Sequence, residues 1–236
     1  MSYADNRKIW EEAYQELLKF GSDGVLQNEI LEAKEVFFSK LGRAHEMREE
    51  LFEVASQSFL EWYLFEYPTR LFTKTPAVVF LSLGLGSTGK NEILERSLFN
   101  HWSIYEIIAI KSDRLILKDL LLGHKRVALK ELDAPEFRGW KIKEGQIFQA
   151  RLFPLAGAAE SKEEIYFFTH RWLHPDPEDQ MLMSVCKKRQ PKWSLHKDLL
   201  LSSFEAAVRS YGIQSQIKAS GSRNWLYQDL QKRYVS

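Results

Sequence analysis

The sequence predicts an α+β protein: an N-terminal helical bundle, a small five-stranded antiparallel barrel or rolled sheet, and C-terminal helices. Three observations carry this. Apolar residues recur at helical spacing through the first hundred positions. Between about 101 and 175 the period shortens to that of strands, with polar or glycine turns between the runs. Beyond His174-Pro175-Asp176-Pro177 the helical period returns. The expected division is a helical region at 1–100, a small β-rich domain at 101–175, and C-terminal helices at 176–236 packing on the rest.

Asp5 suits the N-cap of a first helix ending near Phe20, with Gly21 as its stop. Ile9, Trp10, Ala13, Tyr14, Leu17 and Leu18 form its apolar stripe. A second helix spans about Asp23 to Leu41, with Leu26, Ile30, Ala33 and Phe37 on one face and Gly42 after it. A third runs from about Arg43 to Phe65, and Pro68 lies just beyond its end. Its aromatic end places Phe59, Trp62 and Tyr63 on one face, where they are expected to anchor the bundle, with Trp62 buried. Short links between the three helices favour antiparallel neighbours. Thr75-Pro76 reads as an N-cap followed by proline at the first helical position, starting a short helix to about Leu83. A glycine-rich loop, residues 84–91, precedes another short helix from Asn91 or Glu92 through Phe99.

Five strands are expected next: Ile104 to Ile110, Arg114 to Leu117, Arg126 to Leu132, Gln146 to Leu155 and Glu164 to Leu173. Lys111-Ser112-Asp113, Gly123-His124 and Lys143-Glu144-Gly145 mark turns. A barrel this small is filled by its own side chains, so binding is expected on its surface or against the helices. Asp176 and Ser194 are candidate caps for two of the C-terminal helices.

Composition narrows the class. Of 236 residues 44% are hydrophobic, enough for a core without disulfides or metals. The one cysteine, Cys186, sits among apolar residues and reads as a buried small hydrophobe. No signal-peptide core opens the chain, and no apolar run approaches the ~20 residues of a membrane span. A cytoplasmic location and no membrane association are therefore expected. The net charge of +1 hides an asymmetry. Residues 1–66 hold 7 Lys/Arg against 14 Asp/Glu, and residues 187–236 hold 10 against 3. The two ends either complement each other or leave a basic end for an acidic partner.

The sharpest motif is Gly84-Leu85-Gly86-Ser87-Thr88-Gly89-Lys90-Asn91. It matches the phosphate-loop pattern G-x-x-x-x-G-K-[ST] except at Asn91. Such a loop wraps phosphates with backbone N–H groups while its lysine neutralises charge, so Gly84, Gly89 and Lys90 would be the contacts. Asn91 lacks the hydroxyl that holds magnesium, and Thr75-Pro76 announces a helix where the motif requires a strand. The reading favoured is a flexible glycine loop between two helices that does not bind nucleotide, with the phosphate loop as the alternative. His45/Glu49 and His170/His174 have a spacing of four but form no complete metal site, so no cofactor is expected. A basic aromatic set, Arg138, Trp140, Lys141, Lys143, Arg151, Arg171 and Trp172, comes from the β-rich segment. Lys187, Lys188, Arg189, Lys192 and Trp193 follow around Pro191 and are the expected patch for an anionic partner.

The runs FLEWYLFEYP (Phe59 to Pro68), SIYEIIAIKSDRLILKDLLLGHKRVAL (Ser103 to Leu129) and EGQIFQARLFPL (Glu144 to Leu155) resemble segments of an uncharacterised bacterial family. The resemblance covers roughly residues 55–175. Its members look like a helical region followed by a small β unit with a D-L-x-x-G turn, here Asp119, Leu120 and Gly123. Some relatives carry a cysteine-rich SEC-C zinc motif, which is absent from this chain. The resemblance implies the architecture and no activity. The sequence thus points to a non-catalytic binding or adaptor protein acting on a protein partner or a nucleic acid. The alternative is a nucleotide- or phosphate-binding protein using residues 84–91.

Overall fold

A computed structural model describes residues 3–41, 49–130, 141–155 and 164–173. The expected C-terminal helices lie outside the described residues. The described residues form five α-helices: α1 (Tyr3–Ser22), α2 (Gln27–Leu41), α3 (Glu49–Phe65), α4 (Pro76–Ser82) and α5 (Thr88–Ser97). Six strands follow: β1 (His101–Ile110), β2 (Arg114–Asp119), β3 (Lys125–Leu129), β4 (Ile147–Pro154), β5 (Ile165–Phe167) and β6 (Arg171–Leu173). The protein is α+β, and among the described residues the helices come first and the strands after.

Gly21 does not stop α1. The helix runs through it to Ser22, and the chain breaks at Gly24, whose φ of 58° only glycine adopts freely. Gly21 has a different task. A Cβ there would stand 2.8 Å from Leu64 Cδ2, so the missing side chain lets α1 approach α3 closely. The Gly21 carbonyl accepts a 2.7 Å hydrogen bond from the Tyr63 hydroxyl. Burial, reinforced by the Glu29 charge, holds that phenol well above its ordinary pKa, so it stays a donor. At α4 the expected cap is in place: Thr75 Oγ1 accepts from the Val78 N–H at 3.4 Å, and Pro76 opens the helix. Helix α5 starts at Thr88, three residues ahead of the expected Asn91.

The expected fifth strand is broken into β5 and β6, and the register explains the break. Phe167 pairs antiparallel with Phe153 of β4. Continuing that register would set Trp172 opposite Phe148, but Leu173 stands there. One extra residue between β5 and β6 therefore bulges out, and the two are halves of one partner strand to β4.

The sheet order is β1-β2-β3-β5-β4-β6, and a further β1–β4 pairing closes five strands into a ring. The barrel is mixed where the sequence predicted an antiparallel one. Pairs β1–β2, β2–β3 and β4–β5 are antiparallel. At the β1–β4 seam the Ile107 N–H donates to the Gln146 carbonyl at 3.0 Å, and the Gly145 N–H donates to the Ile107 carbonyl at 2.8 Å. Two residues thus face one, with Gly145 at φ 77°: the glycine bulge of an antiparallel pair. A ring with an odd number of strands cannot alternate direction all the way round. The one remaining pair, β3–β5, is therefore parallel, and the chain segment containing β4 provides the long connection a parallel pair needs.

The chain divides into two compact units, each built from separate stretches of sequence. One holds residues 1–37, 55–101 and 152–167. Its core centres on Trp10 of α1, which stacks on Tyr14 with ring centroids 4.9 Å apart. Trp10 also meets Phe153 at 4.9 Å and Phe167 edge-on at 4.8 Å, the two residues paired across β4–β5. Its indole N–H donates to Ser97 Oγ of α5 at 3.0 Å. Phe59 and Tyr63 are buried as expected, but Trp62 is only half-buried, lying on Phe37 and Tyr67 at the edge of the helical packing. The Glu29 carboxylate accepts the backbone N–H groups of Arg70 and Leu71, both at 3.0 Å, and so pins the link between α3 and α4 to α2.

The described part of the other unit comprises residues 38–41, 49–54, 102–130, 141–151 and 168–173. Cross-strand partners share a face, so Tyr105, Ile107, Leu117 and Asp119 point to one side and Glu106 and Lys118 to the other. Tyr105, Ile107, Leu115, Leu117 and Phe148 are fully buried, and the Phe148 ring lies 5.8 Å from Tyr105 and 5.7 Å from Phe168. Side chains fill this interior, as small barrels require.

The difference between the two tryptophans is measurable. Replacing Trp10 by alanine should lower unfolding stability by about 3–5 kcal/mol, whereas Trp62→Ala should cost less than about 3 kcal/mol because its ring is already partly in water. Tyr63→Phe should cost about 1–2 kcal/mol by leaving the Gly21 carbonyl without its buried donor. Urea unfolding of the three variants tests this ranking, and an equal loss for the two tryptophan variants would contradict it.

Candidate functional site

The glycine-rich loop is the first place to look, and its surroundings run against phosphate binding. The apolar run before it is the helix α4, where a phosphate loop needs a strand. Lys90, which would neutralise the phosphates, is turned to α1: its Nζ lies 2.7 Å from Glu16 Oε1 and 3.3 Å from Glu12 Oε2. The hydrogen bond that the ammonium donates to Glu16 raises the lysine pKa and keeps Lys90 charged. Gly86 has a φ of 91°, and a Cβ there would stand 2.9 Å from Asn91 Oδ1 and 3.3 Å from the Phe80 ring. That glycine is required by the tight turn between α4 and α5. Gly84 also has a positive φ, 64°, while Gly89 lies inside α5. The three residues therefore build a helix–turn–helix link fastened to α1 by an ion pair.

Asp119 organises the turn between β2 and β3. Its Oδ1 accepts from the Leu121 and Leu122 N–H groups, both at 2.9 Å, and from Ser103 Oγ of β1 at 2.7 Å. The Gly123 N–H donates to the Asp119 carbonyl at 2.8 Å, the Asp119 N–H donates to the His124 carbonyl at 2.8 Å, and Gly123 takes a φ of 76°. The D-L-x-x-G pattern is thus accounted for. Aspartate satisfies the turn's own amides, leucine continues into the ladder through a 2.9 Å bond to the Ile104 carbonyl, and glycine supplies the left-handed position.

This turn presents a set of cations that sequence reading did not single out. Lys118 and Lys125 are direct cross-strand partners on β2 and β3, and both are exposed, as is His124 at the turn. Lysine side chains opposite each other repel. Glu106 is the β1 partner of Lys118, but no ion pair joins them. Strand alternation alone could not have shown this, because the 118–125 pairing depends on how many residues the Asp119 turn consumes.

Other sequence-predicted groups are placed differently. Arg151 is buried, not on a basic surface: its guanidinium carbon sits 5.2 Å above the Trp102 ring. Lys141 and Lys143 are exposed. His170 lies between β5 and β6 with Nδ1 3.2 Å from Thr169 Oγ1. His45, Arg138, Trp140, His174, Cys186 and the patch Lys187, Lys188, Arg189, Lys192 and Trp193 lie outside the described residues. Among the described residues no group of three or more His, Cys, Asp or Glu is placed to hold a metal ion, and no helix is long and apolar enough to cross a membrane.

No family model, no curated protein and no solved structure matches the chain.

Two outcomes follow from this geometry. Calorimetry with magnesium and ATP or GTP should show no micromolar binding. Binding that disappears in Lys90→Ala would restore the phosphate-loop reading. Asp119→Ala should destabilise the fold by about 2–4 kcal/mol, since it strands two amides and a hydroxyl that share one charged acceptor. An unchanged denaturation midpoint would mean that the turn holds without it.

Proposed function

We propose that this chain is a non-catalytic binding protein whose partner meets the outside of the small barrel and its turns. The observation that supports this is the filled interior. Tyr105, Ile107, Leu115, Leu117 and Phe148 are fully buried, and the buried Ser103 hydroxyl is spent on Asp119, so the polar groups open to a partner are exposed ones such as Lys118, His124 and Lys125. A closed five-stranded barrel is also an architecture that elsewhere binds oligonucleotides and oligosaccharides on its strands and loops, an analogy of fold that supports a surface role without specifying it. The resemblance to the bacterial family rests on the D-L-x-x-G turn and aromatic anchors, and it belongs to this proposal as kinship of architecture. The patch Lys187, Lys188, Arg189, Lys192 and Trp193 is a second contact region for an anionic partner under the same reading.

The test is affinity capture with the full chain from native lysate, in nuclease-treated and untreated arms. The proposal expects a macromolecule retained in stoichiometric amount in at least one arm. Loss of the retained protein on nuclease treatment identifies a nucleic-acid bridge, and retention in both arms identifies a protein partner. No retained macromolecule in either arm would contradict it.

A further inference from the structure

We infer that the β2–β3 hairpin is a contact for the phosphate backbone of single-stranded nucleic acid, through Lys118 and Lys125 with His124 beside them. This deepens the binding role proposed above and rests on it.

The placement of charge argues for an external anion. Lys118 and Lys125 stand directly opposite each other on neighbouring strands, so their Cβ atoms are about 5 Å apart and like charges there are unfavourable. Among the described residues neither lysine side chain has an ion-pair or hydrogen-bond partner. Some cations on this chain have carboxylate partners, Lys90 with Glu12 and Glu16, Arg70 with Glu32 at 2.9 Å and Arg7 with Glu11 at 3.3 Å, and what distinguishes Lys118 and Lys125 is that each faces the other across the hairpin. The hairpin carrying the unmatched pair is not loose. Asp119 fixes its turn with three hydrogen bonds to Oδ1, so the backbone that carries the two lysines opposite each other is well defined.

The kind of anion follows from what surrounds them. The exposed positions at this end of the hairpin are Lys118, Gly123, His124 and Lys125, while Leu121 is buried and Leu120 and Leu122 are half-buried. A protein–protein interface needs apolar or aromatic anchors at its centre and is depleted in lysine. A phosphodiester backbone needs only cations at close spacing, and an exposed imidazole adds a ring on which an unpaired base stacks.

The experiment is fluorescence anisotropy of the full chain with a labelled single-stranded oligonucleotide, as DNA and as RNA, across a salt series. Single strands release about 0.7 counterion per phosphate contact. Lys118→Ala/Lys125→Ala should therefore flatten the slope of log K against log salt by about 1.4 and weaken binding on the order of tenfold at 0.1 M salt. Lys19→Ala/Lys34→Ala removes the same charge from exposed helical positions and should leave the slope unchanged. Lys125→Glu supplies a second readout. It places opposite charges across the hairpin, so it should raise the melting temperature by about 1–3 °C while weakening nucleic-acid binding. A folding defect would lower both.

Parallel salt slopes for the parent and the Lys118/Lys125 double variant would overturn the inference, as would a parent that binds neither DNA nor RNA at micromolar concentration. Preference for a polyglutamate peptide over both oligonucleotides would overturn it in favour of an acidic protein. In each of these cases a partner retained in both capture arms would leave the broader binding role standing, so the two can fail separately.

Discussion

Trp10 is the residue on which the helical unit depends. One ring stacks on Tyr14 within α1, hydrogen-bonds Ser97 of α5, and covers Phe153 and Phe167 where β4 pairs with β5. Two helices and a strand pair are thereby fixed against one buried indole. An indole suits this position because its apolar faces fill the core while its one N–H finds an acceptor in Ser97. Removing the ring would take away aromatic contacts and leave that hydroxyl without its donor in one step. The Arg7 guanidinium carbon, 5.5 Å from the Phe167 ring centroid, extends the same packing toward the helix N-terminus.

A second constraint shapes the β-rich part: five strands closed into a ring. Odd closure forces one parallel pair, and the glycine bulge at Gly145 and the extra residue between β5 and β6 adjust the register on either side of β4. Bulges of this kind bend strands and increase their twist, which a small ring needs in order to close. The interior is then committed to packing. What the barrel can offer a partner lies in its turns and outer face.

Much of the fold was legible because it rests on local signals. Thr75-Pro76 capped α4 as read, the polar run Lys111-Ser112-Asp113 turned β1 into β2, and the helical stripe of α1 carried Trp10 into the core. The misreadings share a cause, namely that the deciding contact is distant in sequence. Gly21 looked like a helix stop, but its bareness serves Leu64 and Tyr63, more than forty residues away. Helical phase put Trp62 beside Phe59 and Tyr63 as a buried anchor, and of the three only Trp62 is half-buried, whereas the Tyr63 hydroxyl reaches the Gly21 carbonyl. Lys90 completes a phosphate-loop pattern that Asn91 and Thr75-Pro76 already argued against, and its partners, which the sequence did not show, are Glu12 and Glu16 on α1. The opposition of Lys118 and Lys125 needed the register of a hairpin whose turn is set by an aspartate side chain.

The central claim is that this protein meets its partner on the outside of a solid barrel. Backbone amide shifts of the isotopically labelled chain, followed while a single-stranded oligonucleotide is added, test it most directly. The account predicts that the amides of Lys118, His124 and Lys125 move together and saturably, while those of interior Tyr105 and Phe148 stay near their free positions. Changes centred on the interior residues, or on the loop at 84–91 with the hairpin unmoved, would contradict it.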